Sequence, residues 1–369
     1  MATSLPRLPE WQQISTNVIR ILGGNPGKVS CLLFRPSSLP WGPIRLSLEM
    51  RADSDRSSLC KVRQYRLQHP SAPGCACCPL LTAGSAGTNT YLLGRGPKRI
   101  LLDTGQGEKA WASTLEEVLK AQPNGASVST CLLSHWHHDH VGGVKDLQKI
   151  CPDAKVYKNT PGLNPDGILD LETVLDIDDG QRFRVREGAD DETFEVEAVH
   201  CPGHAKDHMA FLVTASSDES EIGAIFTADN VLGHGTAVFE DLGTYLESLA
   251  LMKQRAGEGK RAYPGHGAVI EDARVKIDEY LQHRKLREEE AHNVLRFGTV
   301  TRPPDTDTQL EKEEWGSMEM VKVIYKEYPE NLHQPAEWGL VMVLEKLRKD
   351  GRVVKTAGGK WRVNEKAIL

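Results

Sequence analysis

Apolar positions along the chain recur with two periods. Residues 17–22, 90–93, 99–103, 129–133 and 155–157 are short apolar or alternating runs, and each predicts a strand. Residues 110–120 and 144–150 carry helical spacing. Strand patterning returns from Phe183 onward, at 194–199, 208–213, 224–227 and 261–263, with a helix predicted over 242–253. Residues 269–297 read as one long helix with Ala273, Ile277, Tyr280 and Leu281 on a single face. Strands and helices in alternation, with polar loops at strand ends, predict a layered α/β (α+β) domain over residues 1–297.

The next stretch, 298–315, is polar, contains Pro303-Pro304 and reads as a linker. Beyond it Ser317 is a candidate N-cap for a helix reaching Tyr328. A second helix is predicted over 331–350, and a hairpin is formed by 352–355 and 360–363 around Ala357-Gly358-Gly359. Helix, helix, hairpin is the order of a small winged-helix-like domain, placed at 316–369.

Composition narrows the class. The chain has 369 residues, 39% hydrophobic and 26% charged, with a net charge of −6. That suits a globular protein and lacks the strongly basic footprint of a nucleic-acid binder. No run approaches the ~20 apolar residues of a membrane helix. The first twelve residues carry Pro6, Pro9 and Glu10 and no apolar core, so no secretory signal and no membrane association is expected, and the cytoplasm is the expected location.

One cluster of side chains carries chemistry. Ser134-His135-Trp136-His137-His138-Asp139-His140 follows a predicted strand and offers donors at i, i+2, i+4 and i+5. Imidazole and carboxylate in that mixture suit zinc, and an extended loop with such spacing can feed two adjacent metals. Further candidates stand at later strand ends: His204 in Cys201-Pro202-Gly203-His204, Asp229 in Phe226-Thr227-Ala228-Asp229, and His266 in Tyr263-Pro264-Gly265-His266. Zinc lowers the pKa of bound water towards ~7, so the reaction class is hydrolysis. Trp136 and His138 read as packing or rim residues, His208 as a core histidine or a hydrogen-bonding partner of the site, and His234, Glu240 and Asp241 as rim residues.

On these motifs the chain resembles the metallo-β-lactamase superfamily. The resemblance implies an αββα sandwich holding two zinc ions. It assigns His135, His137 and His204 to the first, Asp139, His140 and His266 to the second, and Asp229 as the bridging carboxylate. Asp139 would also move protons as the catalytic residue, and Asp103 in Leu102-Asp103-Thr104-Gly105 would support the first motif. Many relatives have Gly before the bridging Asp, where this chain has Ala228. Gly24-Asn25-Pro26-Gly27, Gly87-Thr88-Asn89-Thr90-Tyr91, Val238-Phe239-Glu240-Asp241 and Tyr328-Pro329-Glu330-Asn331-Leu332-His333 are similar to one branch, the lactamase-β-like proteins with a C-terminal winged-helix-like unit. That likeness spans roughly residues 10–28 and 87–369. Fungal members of the branch include thioesterases that release a polyketide from the acyl carrier protein of a polyketide synthase, a step of secondary metabolism. Animal members resemble single-stranded RNA endonucleases. From Gly316 to Leu369 ten Lys or Arg stand against seven Asp or Glu, and aromatic residues interleaved with basic ones are sparse. The thioesterase is therefore the reading preferred, with the endoribonuclease as alternative.

One stretch departs from the branch. In relatives the Asn-Pro-Gly turn is followed within a few residues by Gly-Thr-Asn-Thr; here about 29–83 intervenes, with five of eight cysteines and little periodicity. Cys75-x-Cys77-Cys78 fits no standard zinc spacing. Codons available for Lys28-Val29-Ser30 can spell a splice donor, and those for Leu81-Thr82-Ala83 can contain an acceptor AG. The hypothesis is a translated, unspliced intron; a transcript retaining these codons in every read would refute it. Cys131, Cys151 and Cys201 are expected to be buried free thiols.

Overall fold

The computed structural model describes residues 8–23, 87–123, 125–187, 192–303 and 313–365. The Asn25-Pro26-Gly27 turn, the insert at 29–83 with its five cysteines, and part of the expected linker lie outside the described residues.

Among the described residues the first sheet has seven strands in sequential order: β1 Trp11–Ser15, β2 Val18–Leu22, β3 Asn89–Leu93, β4 Lys98–Leu102, β5 Ser127–Leu133, β6 Lys155–Lys158 and β7 Val174–Asp176. β1 to β4 pair antiparallel and β4 to β7 parallel. Parallel neighbours need a crossover, and the helix α1 (Lys109–Ala121) supplies it between β4 and β5. The short helices α2 (His138–Val141) and α3 (Val144–Ile150) do so between β5 and β6. The central strands read as almost continuous apolar runs because both their faces are covered.

The second sheet runs β12-β11-β10-β9-β8, from β8 Arg182–Arg186, β9 Thr193–His200, β10 Met209–Ala215, β11 Ile225–Ala228 and β12 Ala262–Pro264. Its edge strand β8 alternates: Phe183 and Val185 face inward, while Arg182 and Arg184 face out and pair with Glu197 and Glu195 across the ladder. The parallel β11–β12 pair is bridged by the helix α4 (Leu242–Arg255), whose N-cap Asp241 accepts from the Thr244 amide at 2.9 Å.

Three apolar layers hold these parts together. Tyr91, Leu102, Leu132, Phe211, Phe226 and Tyr263 lie between the sheets. Trp111, Leu115, Leu119, Val144 and Leu147 seal the outer face of the first sheet. Tyr245, Leu249, Ile277 and Val294 seal the second and continue into Met320, Leu344 and Trp361 of the C-terminal unit. The order is helix, sheet, sheet, helix. The C-terminal unit comprises α6 (Ser317–Ile324), a 3₁₀ turn at Glu330–Leu332, α7 (His333–Lys349) and the hairpin β13 (Val353–Lys355) with β14 (Trp361–Val363). Trp315, inside the expected linker, already pairs with Trp361 through both backbone bonds at 2.8 Å.

Several expectations need correction. The first strand is β1, so residues 17–22 are the second, and β7 is a further strand that the sequence pattern does not mark. The long helix α5 spans Ala273–Phe297 and does not begin at Val269, because Ile270 pairs with Ala262 and Asp272 caps the helix by accepting from Val275. Ser317 is not a cap: Gly316 occupies that position, its amide held by Glu319, while the Ser317 hydroxyl donates to Glu337. That helix stops at Ile324, well short of Tyr328, which is held out of helical conformation by the following Pro329.

Candidate metal centre

Four strand ends converge at one rim of the sandwich. β5 delivers Ser134 to His140, β9 delivers His204, β11 delivers Asp229 and β12 delivers His266. All seven candidate donors are brought together in two groups, His135, His137, His204 and Asp229, and Asp139, His140 and His266; within each group the donor atoms lie inside 4.8 Å of one another. The loop after β5 is extended only as far as His137. From His138 the chain closes into α2, which turns Asp139 and His140 away from His135 and His137 and so splits the motif between the groups.

Hydrogen bonds outside the cluster set the ring nitrogens. Nδ1 of His204 donates to the Val238 carbonyl at 2.7 Å, leaving Nε2 as a lone pair. Nδ1 of His140 donates to Asp103 Oδ2 at 2.7 Å, which turns its Nε2 towards Asp139 and Asp229. Asp103 also accepts from the Ser134 amide and hydroxyl, at 2.7 and 2.8 Å. With its proton committed to Asp103, the Ser134 oxygen accepts from His135 Nδ1 at 2.9 Å. The lone pairs of His135 and His204 therefore both face His137 Nδ1, at 2.8 and 3.0 Å. One N–H can satisfy only one of them. A shared cation satisfies all three, so this donor set fits a metal ion.

The second group makes the same demand in another way. His140 Nε2 is buried without a hydrogen-bond partner, 3.3 Å from Asp229 Oδ1 and 3.8 Å from Asp139 Oδ2. His266 Nε2 lies 3.3 Å from both carboxylates. Asp229 also approaches His204 Nε2, at 3.7 Å, so it touches both groups. Burial lowers the basicity of His135, and of His137 to about 3 with help from His204. Burial acts on His140 and His266 too, but the carboxylates of Asp229 and its neighbours outweigh it, holding His140 well above the usual range and His266 at about 10. Carboxylates thus favour positive charge at His140 and His266, as they would a cation, while burial favours the neutral, ligating form of His135, His137 and His204.

Local backbone explains the motif residues. A Cβ on Gly265 would meet Asp229 Oδ1 at 2.3 Å, and one on Gly203, at φ +130°, would meet the Tyr245 backbone at 2.4 Å. Asp103 and Ala228 both have positive φ, 58° and 41°. A glycine before Asp229 is thus what this backbone favours, and Ala228 occupies the conformation with a Cβ.

The remaining candidates divide. Trp136 is buried with its ring edge-on to His137, centroids 4.4 Å apart. His138 is exposed, 3.8 Å from Asp166. His208 is fully buried and its Nε2 accepts from the Asp229 amide at 3.3 Å. His234 is half-buried in the segment between β11 and α4. Glu240 is exposed, whereas Asp241 caps α4 and pairs with Lys349. Sequence reasoning missed Thr88, whose hydroxyl donates to Asp139 Oδ2 at 3.0 Å, although it stands in the quoted Gly-Thr-Asn-Thr motif. It also missed Tyr280 and Arg284 of α5. They hold the segment before α4 by bonds to the Gly235 and Ala237 carbonyls, and Arg284 lies over the Phe239 ring. Nothing in their spacing on an amphipathic helix signals that task.

Comparison with known proteins decides the family. Residues 83–218 match the metallo-beta-lactamase superfamily model and 316–361 the beta-lactamase associated winged helix domain. The lactamase-like protein adaB of Aspergillus niger is 37% identical over 95% of this chain and 86% of its own length. This chain belongs to the metallo-β-lactamase superfamily. Other relatives within it are an atrochrysone carboxyl ACP thioesterase of Aspergillus fumigatus (38% identical, 79% of this chain, 56% of that protein) and the beta-lactamase-like protein 2 homolog of Drosophila melanogaster (40%, 75% and 88%). A beta-lactamase domain protein from Burkholderia ambifaria shares the metallo-β-lactamase fold at TM-score 0.56 and 18% identity, over 75% of this chain and 87% of that one.

Proposed function

We propose that the chain is a dinuclear zinc hydrolase that releases an acyl group, a polyketide in secondary metabolism, from the thioester of an acyl carrier protein. The observation that carries the dinuclear reading is Asp229, whose carboxylate lies between the two donor groups. His135, His137 and His204 would hold one ion, Asp139, His140 and His266 the other, with Asp229 shared. Bound there, zinc supplies Lewis acidity, making water acidic near neutral pH and polarising the substrate carbonyl.

The chain's own residues do the rest. Burial raises the Asp139 carboxyl, but His140 and His266 outweigh it and keep Asp139 ionised. An ionised Asp139 accepts a proton from attacking water as the C–O bond forms, and returns it to the thiolate sulfur as the C–S bond breaks. Thr88 and His266 orient that carboxylate.

The substrate reading is supported by the name of the Aspergillus fumigatus relative and by the electrostatics of the C-terminal unit. Several of its cations are paired with carboxylates: Lys346 with Glu288 and Asp350, Lys349 with Asp241, Arg348 and Lys355 with Glu345. A surface that grips phosphates keeps such charges for the ligand. A cytoplasmic location belongs to the same reading. Cys131, Cys151 and Cys201 are free thiols, as in a reducing compartment, and no helix among the described residues is long and apolar enough to cross a membrane.

The test offers zinc-loaded protein an acyl-carrier-protein thioester and a single-stranded RNA side by side, with Asp139→Asn as control. Thioester cleavage that the control loses, with RNA intact, is the expected result. RNA cleavage that the control loses would replace this substrate with a phosphodiester.

A further inference from the structure

Lys158, at the end of β6 in the first sheet, and Asp207, in the 201–208 segment of the second, form a salt bridge of 2.6 Å with both side chains wholly buried. The ammonium donates to the carbonyls of Asn159 and Thr160, at 3.0 and 3.2 Å, while Asp207 faces it as an ion pair with neither carboxylate oxygen hydrogen-bonded. Three elements meet at one nitrogen: the end of β6, the start of the 159–173 loop, and the segment that carries His204.

A buried ion pair is weak evidence of stability, because desolvation offsets its attraction and an apolar pair of similar volume does as well or better. What distinguishes this pair is its place, wholly buried between the two sheets and one segment away from the donor cluster. Asp207 lies between His204 and His208. The segment is closed on itself by the Gly203 amide to the Ala205 carbonyl at 3.2 Å and by the Cys201 amide to the His208 carbonyl at 2.9 Å, so it moves as a unit. His208 accepts from the Asp229 amide, and the Met209 amide donates to the Ser134 carbonyl at 2.8 Å, beside His135. A shift of Asp207 therefore displaces His204 directly and Asp229 through His208. No other ion pair among the described residues has both partners at zero exposure.

We propose that Lys158 and Asp207 are positioning residues that pin the His204 segment across the two sheets, setting the geometry of the donor group His135, His137, His204 and Asp229. The proposal rests on the metal-binding reading above.

The test measures zinc affinity by chelator competition, with thermal melting alongside. Lys158→Met alone strands a buried carboxylate and endangers the fold, so the decisive variant is Lys158→Met/Asp207→Leu, which removes both charges together. The expected result is a double variant that melts at or above the wild-type temperature yet binds one of its two zinc ions about 10- to 100-fold more weakly, the range for outer partners of metal ligands. A double variant that holds both ions with wild-type affinity overturns the proposal. A wild-type protein that takes up no zinc overturns the metal reading instead, and the two failures are told apart by the wild-type titration.

Discussion

Nδ1 of His204 donates to the carbonyl of Val238 at 2.7 Å, and this one bond decides which nitrogen of His204 faces the other donors. The carbonyl is held from behind, since Arg284 donates to the adjacent Ala237 carbonyl at 2.7 Å and covers the Phe239 ring at 4.8 Å. Arg284→Met leaves that buried carbonyl without its charged donor and removes the cation–π contact. The expected cost is about 1–3 kcal/mol of stability. It is read as a lower urea midpoint at unchanged slope; an unchanged midpoint would refute the buttressing role.

Asp103 does for His140 what Val238 does for His204. Asn tolerates the left-handed backbone that Asp103 adopts, so Asp103→Asn keeps the chain path and replaces one acceptor by an amide donor. That donor opposes either the Ser134 amide, at the Oδ1 position, or both the Ser134 hydroxyl and His140 Nδ1, at the Oδ2 position. Metal affinity or zinc-loaded activity is expected to fall about 10- to 100-fold, with secondary structure unchanged. Wild-type zinc affinity in this variant would show that Asp103 does not orient His140.

The positive φ of Ala228 sets very different costs for two small substitutions. Ala228→Gly relieves the left-handed Cβ strain but loosens the unfolded chain and loses a buried methyl, so stability should stay within about 1 kcal/mol of wild type. Ala228→Val puts a branched side chain where one Cβ is already strained and should cost more than about 2 kcal/mol. Calorimetry of the three proteins distinguishes this from a site indifferent to backbone.

His283 on α5 has both ring nitrogens buried without partners, and burial, aided by Arg284 and Arg287, pushes it down to about 4. Its unfolded value is ~6.5, so the unfolded chain binds more protons between the two values. Stability from this residue is complete above ~6.5 and is lost as pH falls towards 4. His283→Asn should flatten the melting temperature against pH within that window and nowhere above it. A parallel shift at all pH values would mean the imidazole is merely packed.

How much of this was legible in the sequence depends on the kind of residue. His135, His137, Asp139 and His140 announce themselves because a strand end forces them into one short run. His204, Asp229 and His266 share strand-end positions and small preceding residues, and the Gly203 and Gly265 contacts show why those residues are small. Most strands follow from patterning, but β1 does not, since Trp11, Gln12 and Gln13 are exposed and carry no core face. Asp139 and His140 were expected on an extended loop because α2 is too short to show a period. Lys158, Asp207, Tyr280 and Arg284 were invisible: each acts through a partner far away in the chain, and each reads locally as an ordinary charged or aromatic residue.

The most direct test incubates the zinc-loaded protein with an acyl-loaded carrier protein in H₂¹⁸O and weighs both products by intact mass. The account predicts a carrier protein lighter by the acyl group, its thiol free, and a released acid carrying one ¹⁸O. A carrier protein that keeps its acyl group under conditions where the protein holds two zinc ions would contradict it.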